Sequence, residues 1–371
     1  MAEEYGLDRV LWAGAAQVPL RVREGERGWD ELATELADLA ADRCVVLTDG
    51  VPPEGLTARL PLGQRLRVPG AATLQTVERL ADRIAAEGLT RRTVLLAVGG
   101  EGLAGTAGVL AGLLLGGLRL VRVPTTLAAL CGPALSPVQH LPGGGLGLHH
   151  APTLVRGQLD LLAAEPVAQL RAGLVTVVRH VLAVCPARLS GVSAVLRPEA
   201  GYRPAELGAF VALCADARAA VAGYDPLELG PARALAYGQV LGQGIREVTG
   251  LPSGEAEGLG LLAAARISAH LGLLTAEDEH AHRDLLRRVG LPLGLPPGTD
   301  PAAVATAVRR AAAARGDDGL LLLAGLGRPH TADGSLLTRI GPDTLRVGLA
   351  ALIPTAVPAS RTATALTPAE R

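Results

Sequence analysis

An α/β domain followed by an all-α domain is the fold class that this sequence of 371 residues predicts. In the first part, short runs rich in Val and Leu alternate with helical patterns, which is typical of a doubly wound parallel sheet. From Glu165 onward the pattern is almost entirely helical. We therefore expect an α/β nucleotide-binding domain at 1–164 and a helical domain at 165–353. The tail from Pro354 is rich in Thr, Ala and Pro, which predicts disorder.

A strand, a glycine turn, a helix and a second strand follow one another in the middle of the first domain. The strands are predicted at Thr93–Val98 and Leu118–Val123, with the helix at Thr106–Leu115, which makes a parallel βαβ unit. In such a unit the helix N-terminus presents N–H groups to a phosphate, and glycines let the ligand approach the backbone. A tight turn without a ligand remains an open alternative. The candidate cofactor-binding residues here are Gly99, Gly100, Gly102, Gly105, Thr125 and Thr126.

The other elements of the first domain continue this alternation. Asp49 follows an apolar run, where an acidic residue of a nucleotide-binding fold contacts a ribose; an Asp-Gly turn explains it equally well. The remaining strands are predicted at Arg9–Val22, Cys44–Thr48, Arg65–Val68 and Val155–Leu161, and the remaining helices at Trp29–Ala41 and Leu74–Glu87.

The second domain is predicted to consist of seven helices and one late strand at Leu320–Ala324. His280 and His282 lie on a charged run at a spacing that does not share a helix face, so we expect them on the surface. The helices are predicted at Pro166–Leu174, Val175–Val184, Pro204–Ala222, Gly230–Glu247, Gly254–His270, Ala276–Val289 and Pro301–Ala314.

Composition excludes several classes of protein. Apolar residues make up 49% and the formal net charge is −1, which predicts a soluble globular protein with no electrostatic attraction for nucleic acid. The N-terminus lacks the basic and apolar segments of a secretory signal, and no apolar run is long enough to span a membrane, so we expect a cytoplasmic protein. All 35 basic residues are arginine, so lysine chemistry is excluded. The four cysteines stand in apolar contexts typical of buried thiols.

A series of motifs, in order, resembles the sugar phosphate cyclases, the superfamily of dehydroquinate synthase. GGEGLAGTAGVLAG is similar to the family's GGGxxGxxAGxxA turn, VPTTLAA to its VPTT segment, and AYGQVLGQGIRE to its YGHTxGHxIE hallmark. RAGLVTVVRHVLAVCPARL resembles RxGxxExVKxxLxxxPxxL, and SGEAEGLGLLAAARISAHLG resembles HGExxAxGMxxAAxxSxxLG. LSPVQ is similar to the LSxKQ of the 2-deoxy-scyllo-inosose synthases, the branch that fits best.

The resemblance implies a dehydroquinate synthase-like fold, NAD as cofactor, and a divalent zinc or cobalt ion. It also implies a phosphate-eliminating cyclisation of a sugar phosphate, in which NAD transiently oxidises a ring alcohol and the metal polarises the oxygens. A homodimer is implied by the resemblance alone.

The sequence departs from the family pattern at the reactive positions. The three metal-ligand positions hold Thr176, Gln239 and Ser253, none of which is an anionic or imidazole ligand. The second His of the hallmark is Gln243, which exchanges no proton near neutral pH. We therefore predict that the metal site is lost.

The phosphate-binding and turn positions also differ. Two family lysines are replaced by Arg179 and Arg218, which keep the charge and suit a phosphate. The acidic or Asn position of the nucleotide turn is Gly105, and the Asp and Lys after the PTT segment are Gly132 and Val138. Arg179, Arg218 and Gln243 are therefore the catalytic-position candidates, and we expect them to be inactive.

Three hypotheses follow. The first is a catalytically degenerate homologue that acts as a binding or partner subunit, beside an active cyclase, in aminocyclitol or aminoglycoside-type biosynthesis. The second is an active NAD-dependent cyclase with a rebuilt site, for which the nearby groups are His180, Asp225, Glu247, Glu255 and Glu257. The third is an iron-type alcohol or glycerol dehydrogenase, which shares the architecture but needs Asp and His ligands that the pattern does not supply.

Overall fold

The computed structural model describes residues 4–59, 64–68, 72–141 and 145–353. Its central feature is a seven-stranded sheet in the order β1-β2-β9-β6-β5-β3-β4, parallel except for the β1–β2 hairpin. Two short antiparallel pairs, β7–β8 and β10–β11, lie outside it. The strands are β1 Gly6–Ala13, β2 Ala16–Arg23, β3 Cys44–Thr48, β4 Arg65–Arg67, β5 Val94–Gly99, β6 Arg119–Pro124, β7 Val138–His140, β8 Gly147–His149, β9 Leu154–Gln158, β10 Leu320–Leu321 and β11 Leu337–Thr338.

Helices cover the sheet and then form the second half of the chain. The helices of the first half are α1 Arg27–Asp38, α2 Glu54–Arg59, α3 Leu74–Ala86, α4 Glu101–Leu113, α5 Leu127–Cys131 and α6 Leu159–Ala163. Those of the second half are α7 Val167–Ala183, α8 Leu189–Val195, α9 Pro204–Ala222, α10 Gln239–Thr249, α11 Ser253–His270, α12 Ala276–Val289, α13 Pro301–Ala314 and α14 Pro342–Ala350. The predicted fold class, an α/β part followed by a helical part, is confirmed. The predicted disordered tail at 354–371 lies outside the described residues.

Burial explains which runs became strands. Every residue of β5 is buried, and β6 is nearly so, because helices cover both faces of the central sheet. Beyond the central strands, the buried apolar residues of the hairpin β1–β2 and of α5–α7, α9 and α11 form one continuous cluster. Because the strands are parallel, Asp49 after β3, the glycine turn after β5 and the two threonines after β6 meet at one edge.

Several predicted elements have different bounds in the structure. The helix predicted at Thr106–Leu115 is α4, which already begins at Glu101, so Gly102 and Gly105 lie inside it. Arg9–Val22 is not one strand but the β1–β2 hairpin, which turns at Gly14 with φ +61°. The predicted strand Val155–Leu161 ends at Gln158, where α6 follows directly, and the two predicted helices at 166–184 are the single helix α7. Gly230–Glu247 is interrupted by Gly238, whose φ of +77° separates a 3₁₀ turn from α10.

The prediction for His282 is wrong. Its side chain is fully buried between α12 and the 3₁₀ segment before α10, with Nε2 at 3.1 Å from the hydroxyl of Tyr237 and Nδ1 at 2.7 Å from the carbonyl oxygen of Asp278. Burial lowers the pKa of His282 to about 4, so the ring is neutral at pH 7. The charged run covers only the outer face of α12.

No single helix among the described residues is long and apolar enough to cross a membrane. The segments Val167–Ala183 and Pro186–Val195 reach that length and apolar composition only when they are taken together. The chain bends by 119° between them.

Candidate functional site

A cleft of about 880 Å³ lies between the carboxyl edge of the sheet and the helical half. It is lined from the sheet side by the start of α4, the loop after α5 and the β7–β8 hairpin, and from the helical side by α7, α9, α10 and α11. All six family-equivalent positions that the sequence singled out in the helical half line this cleft: Thr176, Arg179, Arg218, Gln239, Gln243 and Ser253. The structure therefore brings together residues that are up to 77 positions apart in the sequence.

Arg179 is the most fully anchored side chain of the cleft. It is 2% exposed, its Nε donates to the carbonyl oxygen of Tyr237 at 3.0 Å, and its Nη2 donates to Glu257 Oε2. The second oxygen of Glu257 accepts a hydrogen bond from the hydroxyl of Ser253 at 3.2 Å. Thr176 lies one helical turn before Arg179 on α7 and faces the same cleft.

Glu101 is one of the titratable groups of the cleft. It begins α4, and its carboxylate lies about 4.0 Å from the point that a Cβ on Gly132 would occupy. The side chain is accessible from inside the cleft, yet protein surrounds it at longer range, so bulk water solvates it poorly. This desolvation, together with the negative charge of Glu257, raises the pKa of Glu101 to about 7.

Positive charge dominates the rest of the cleft. Arg218 pairs with Glu228, whose Oε1 also accepts the Ser136 hydroxyl at 2.7 Å, and Arg233 pairs with Asp317 at 2.7 Å. Two further arginines, Arg246 and Arg315, line the cleft without an ion-pair partner among the described residues. Burial lowers the pKa of Arg315, and its Nη2 lies 3.5 Å from Gln243 Oε1. The cleft therefore has an excess of fixed positive charge.

The glycine turn lies beside Asp49, because β3 and β5 are neighbouring parallel strands that end at the same edge. Asp49 Oδ2 accepts the N–H of Gly100 at 2.9 Å, and a Cβ on Gly99 would lie only 2.3 Å from Asp49 Oδ1. Thr126 caps α5 by accepting the N–H of Ala129 at 3.2 Å. The hydrogen bonds made by Asp49 and Thr126 therefore stabilise this edge of the sheet without a ligand.

A dinucleotide fits this edge only in part. The first turn of α4 is exposed at Gly102, so backbone N–H groups at the helix start remain accessible to a phosphate. The N–H of Gly100, however, already has the carboxylate of Asp49 as its acceptor.

Gly105 has a packing role in the structure. A Cβ there would lie 2.2 Å from the carbonyl oxygen of His140, because the β7–β8 hairpin rests against α4. Gly108 and Gly112, on the same face, would clash in the same way with Gln139 and Leu148. The glycines of α4 therefore form a groove for the hairpin, and any side chain at position 105 would displace it.

The donor set does not fit a divalent metal. Among the described residues, no group of three or more His, Cys, Asp or Glu side chains is placed to hold a metal ion. The candidates for a rebuilt site are dispersed. Glu257 is bonded to Arg179, Glu247 pairs with Arg310 on an exposed surface, and Glu255 does not line the cleft.

Two further candidates have structural contacts. Asp225 accepts three backbone N–H groups, those of Leu229, Gly230 and Ala232, at 2.8–3.0 Å. His180 is 2% exposed beside the buried thiol of Cys214, although one edge of it reaches the cleft. Neither is available as one of several ligands around a common point.

Sequence reasoning did not identify Glu101 as a site residue. The signal was present, because Glu101 stands at the third position of GGE where the family motif has a third glycine. It also did not identify Arg122, which is 1% exposed below the glycine turn and donates to the carbonyl oxygens of Ala104, Pro133, Ala134 and Ser136. The available signal for that residue was an arginine between two valines in the interior of a largely apolar strand.

Comparison with known proteins shows the family to which the chain belongs. The family model described as 3-dehydroquinate synthase N-terminal matches residues 69–172, and that described as 3-dehydroquinate synthase C-terminal matches residues 177–311. The 2-deoxy-scyllo-inosose synthase of Streptoalloteichus tenebrarius is 32% identical over 309 residues, which cover 77% of this chain and 78% of that protein. The 3-dehydroquinate synthase of Nostoc punctiforme is 30% identical over 265 residues, covering 69% and 72%.

Solved structures show the same relationship. A crystal structure of 2-deoxy-scyllo-inosose synthase complexed with carbaglucose-6-phosphate, NAD⁺ and Co²⁺ matches with a TM-score of 0.83 at 26% identity, over 94% of this chain and 100% of that one. A glycerol dehydrogenase from Sinorhizobium meliloti has a TM-score of 0.61 at 22% identity, over 93% and 98%, which shows a shared fold only. By its motifs, its fold and these matches, the chain belongs to the 3-dehydroquinate synthase family of sugar phosphate cyclases.

Proposed function

We propose that this chain binds a sugar phosphate in the cleft without catalysing the metal-dependent cyclisation of its relatives. It would serve as a binding or partner subunit in aminocyclitol or aminoglycoside-type biosynthesis. The observation that carries the proposal is that Thr176, Gln239 and Ser253 converge on the cleft and are all neutral. Without a carboxylate or imidazole in that set, a divalent ion has no strong ligand.

The choice of a phosphorylated ligand rests on charge. Arg246 and Arg315 line the cleft without acidic partners among the described residues, and Arg218 lies at its other wall. Guanidinium groups bind phosphate through two parallel hydrogen bonds. A sugar of the size of glucose 6-phosphate leaves ample room in a cleft of about 880 Å³. One structural relative was crystallised with carbaglucose-6-phosphate, which supports the same ligand class here.

NAD is proposed as a second ligand of the glycine turn. Gly102 and the start of α4 are exposed, and Asp49 stands at the end of the neighbouring strand. The crystal structure of 2-deoxy-scyllo-inosose synthase that contains NAD⁺ supports this assignment. The bond between Asp49 and the N–H of Gly100 argues for weaker binding than a fully open turn would give.

An active NAD-dependent cyclase with a rebuilt site is the alternative, and Glu101 favours it. A carboxyl group with a pKa of about 7 in a cleft is suited to general acid–base chemistry at neutral pH. It lies beside Gly132, the position at which the family resemblance places an Asp. Under this alternative Glu101 accepts or donates the proton, and the arginines hold the phosphate that leaves.

Inorganic phosphate release tests the two functions. The purified chain is incubated with glucose 6-phosphate, NAD and Co²⁺, with an active 2-deoxy-scyllo-inosose synthase as positive control. Our proposal expects no release above background, and binding of glucose 6-phosphate by calorimetry. Release that needs NAD and disappears in Glu101→Gln would establish the alternative.

Binding needs its own matched variants. Arg246→Gln and Arg315→Gln are expected to weaken glucose 6-phosphate binding at least tenfold. Arg346→Gln, on the exposed surface of α14, is the control and is expected to leave it unchanged. The partner role is tested by mixing the chain with the active synthase and measuring the mass of the assembly. Two separate peaks at micromolar concentrations would contradict it.

A further inference from the structure

A buried arginine lies beside the glycine turn. Arg122 is 1% exposed in the interior of β6, and together with Gly99 and Gly100 it lines a small cavity of about 10 Å³. Its Nη2 donates to the carbonyl oxygen of Ala104, in the first turn of α4, at 2.9 Å. The guanidinium group is therefore close to the start of α4.

The charge of Arg122 has no acidic counterpart among the described residues. Its buried Nε has no hydrogen-bond partner there, and burial and the positive charge of Arg218 lower its pKa to about 9, so the group is charged at pH 7. A buried charge without a counter-ion is costly, and a nearby anion would offset that cost. The acceptors that Arg122 does have are all neutral: the side-chain oxygen of Gln139 and the carbonyl oxygens of Ala104, Pro133, Ala134 and Ser136.

The start of α4 offers a place for such an anion. Gly100 is the N-cap residue and has no side chain to cap the helix, so the first N–H groups of α4 have no acceptor within the helix. Asp49 approaches the turn from the β3 side, and its negative charge opposes an anion there. Arg122 approaches from the β6 side, and its positive charge offsets that of Asp49.

We propose that Arg122 is a positioning residue for a nucleoside diphosphate: its fixed charge beside the glycine turn strengthens binding of the diphosphate at the start of α4 without touching it. The inference rests on NAD as the proposed ligand of the glycine turn, and it goes beyond that proposal by naming the residue that supplies the charge. At an effective dielectric constant of about 20, one charge at a distance on the order of 10 Å changes the affinity for an anion about tenfold.

Substitutions separate the charge of Arg122 from its hydrogen bonds. Gln139→Glu places a carboxylate against the guanidinium group that Gln139 already contacts, and so neutralises the charge while Arg122 remains in place. Arg122→Lys is the conservative variant, which keeps the charge but loses most of the hydrogen bonds. Gln17→Glu adds a negative charge at the exposed start of β2 and is the matched control.

ADP and adenosine are the two probes, because they share the nucleoside and only ADP carries the diphosphate. ADP affinity is measured by calorimetry and adenosine affinity by ligand-observed NMR, for the native chain and each variant. The readout is the ratio of the two affinities, since a change in the shape of the site would weaken both ligands. We expect Gln139→Glu to lower the ratio of ADP to adenosine affinity at least fivefold, whereas Arg122→Lys and Gln17→Glu should keep it within fivefold of the native value.

Each outcome decides the inference. A smaller decrease of the ratio in Gln139→Glu would overturn it, and so would a decrease of fivefold or more in Arg122→Lys or in the Gln17→Glu control. Circular dichroism establishes that each variant is folded. Should Gln139→Glu not fold, Arg122→Gln takes its place, with the same expected decrease and the same limit.

The experiment also distinguishes this inference from the proposed cofactor. A native chain that binds neither ADP nor NAD would refute NAD as a ligand of the glycine turn, and the role of Arg122 would be refuted with it. ADP binding that does not depend on the charge of Arg122 would overturn the inference alone.

Discussion

Glu165 at the junction of the two halves should make the protein less stable as the pH rises. The side chain is 9% exposed; its Oε2 accepts the N–H of Leu127 at 3.0 Å, and its Oε1 has no partner among the described residues. Burial and, to a lesser extent, the charge of Glu101 raise the pKa of Glu165 to about 7, although the hydrogen bond from Leu127 lowers it. Ionised Glu165 is therefore costly in the folded state.

The size of the effect follows from linkage. A rise from the ordinary value of 4.5 to about 7 corresponds to about 3 kcal/mol, at about 1.4 kcal/mol per pKa unit. Between these pH values the folded state binds more protons than the unfolded state, so stability falls as the pH rises from about 4.5 to about 7. We expect a loss of about 2.5 kcal/mol between pH 5 and pH 8 from this group.

Glu165→Gln should remove that loss. The free energy of unfolding is measured in urea at pH 5, 6, 7 and 8 for the native chain and the variant, by circular dichroism. Any effect of the amide on packing is independent of pH. The change in the stability difference between variant and native chain from pH 5 to pH 8 therefore reports only the charge of Glu165. Glu206→Gln is the control. Its hydrogen bond from Arg197 lowers the pKa of Glu206 to about 2, so its effect should be constant above pH 5.

A stability difference between Glu165→Gln and the native chain that stays constant from pH 5 to pH 8 would refute the reasoning. It would mean that water reaches the carboxylate or that the junction opens. A pH-dependent difference of the opposite sign would place a positive charge beside Glu165 that the structure does not show.

Three further outcomes are expected. Gly105→Ala should destabilise the fold by about 1–3 kcal/mol in urea unfolding, because its Cβ would lie 2.2 Å from the His140 carbonyl oxygen, whereas Gly102→Ala, exposed on the same helix, should not. Asp225→Ala should cost about 3 kcal/mol by the same assay, since three backbone N–H groups lose their acceptor; a cost below about 0.5 kcal/mol would contradict this. His282, with a pKa lowered to about 4, contributes stability that is full above pH 6.5 and is lost as the pH falls toward 4, so His282→Gln should flatten acid unfolding by up to about 3 kcal/mol.

Local pattern was sufficient for most elements of the fold. The runs at β3, β5 and β6 are buried on both faces, so their continuous apolar sequences predict strands directly. Two errors fell where one backbone conformation changes the direction of the chain. Gly14 and Gly238, both at positive φ, split elements that hydrophobic periodicity alone joins.

Burial of single residues was less predictable. His282 lies on a run of charged residues, and only its packing against Tyr237 places it in the interior. Periodicity describes which face of a helix is apolar, but it does not say which polar group finds a hydrogen-bond partner inside.

The sequence by itself determined the family, the order of the elements and the identity of the neutral residues at the family's metal positions, because each of these is a local pattern of residue types. Only the tertiary structure decided which residues meet in the cleft. Arg179 meets Glu257 across 78 residues, and Glu101 reaches the cleft from the opposite half of the chain. Charge pairing and burial depend on distances in space, and these cannot be inferred from the spacing of residues along the sequence.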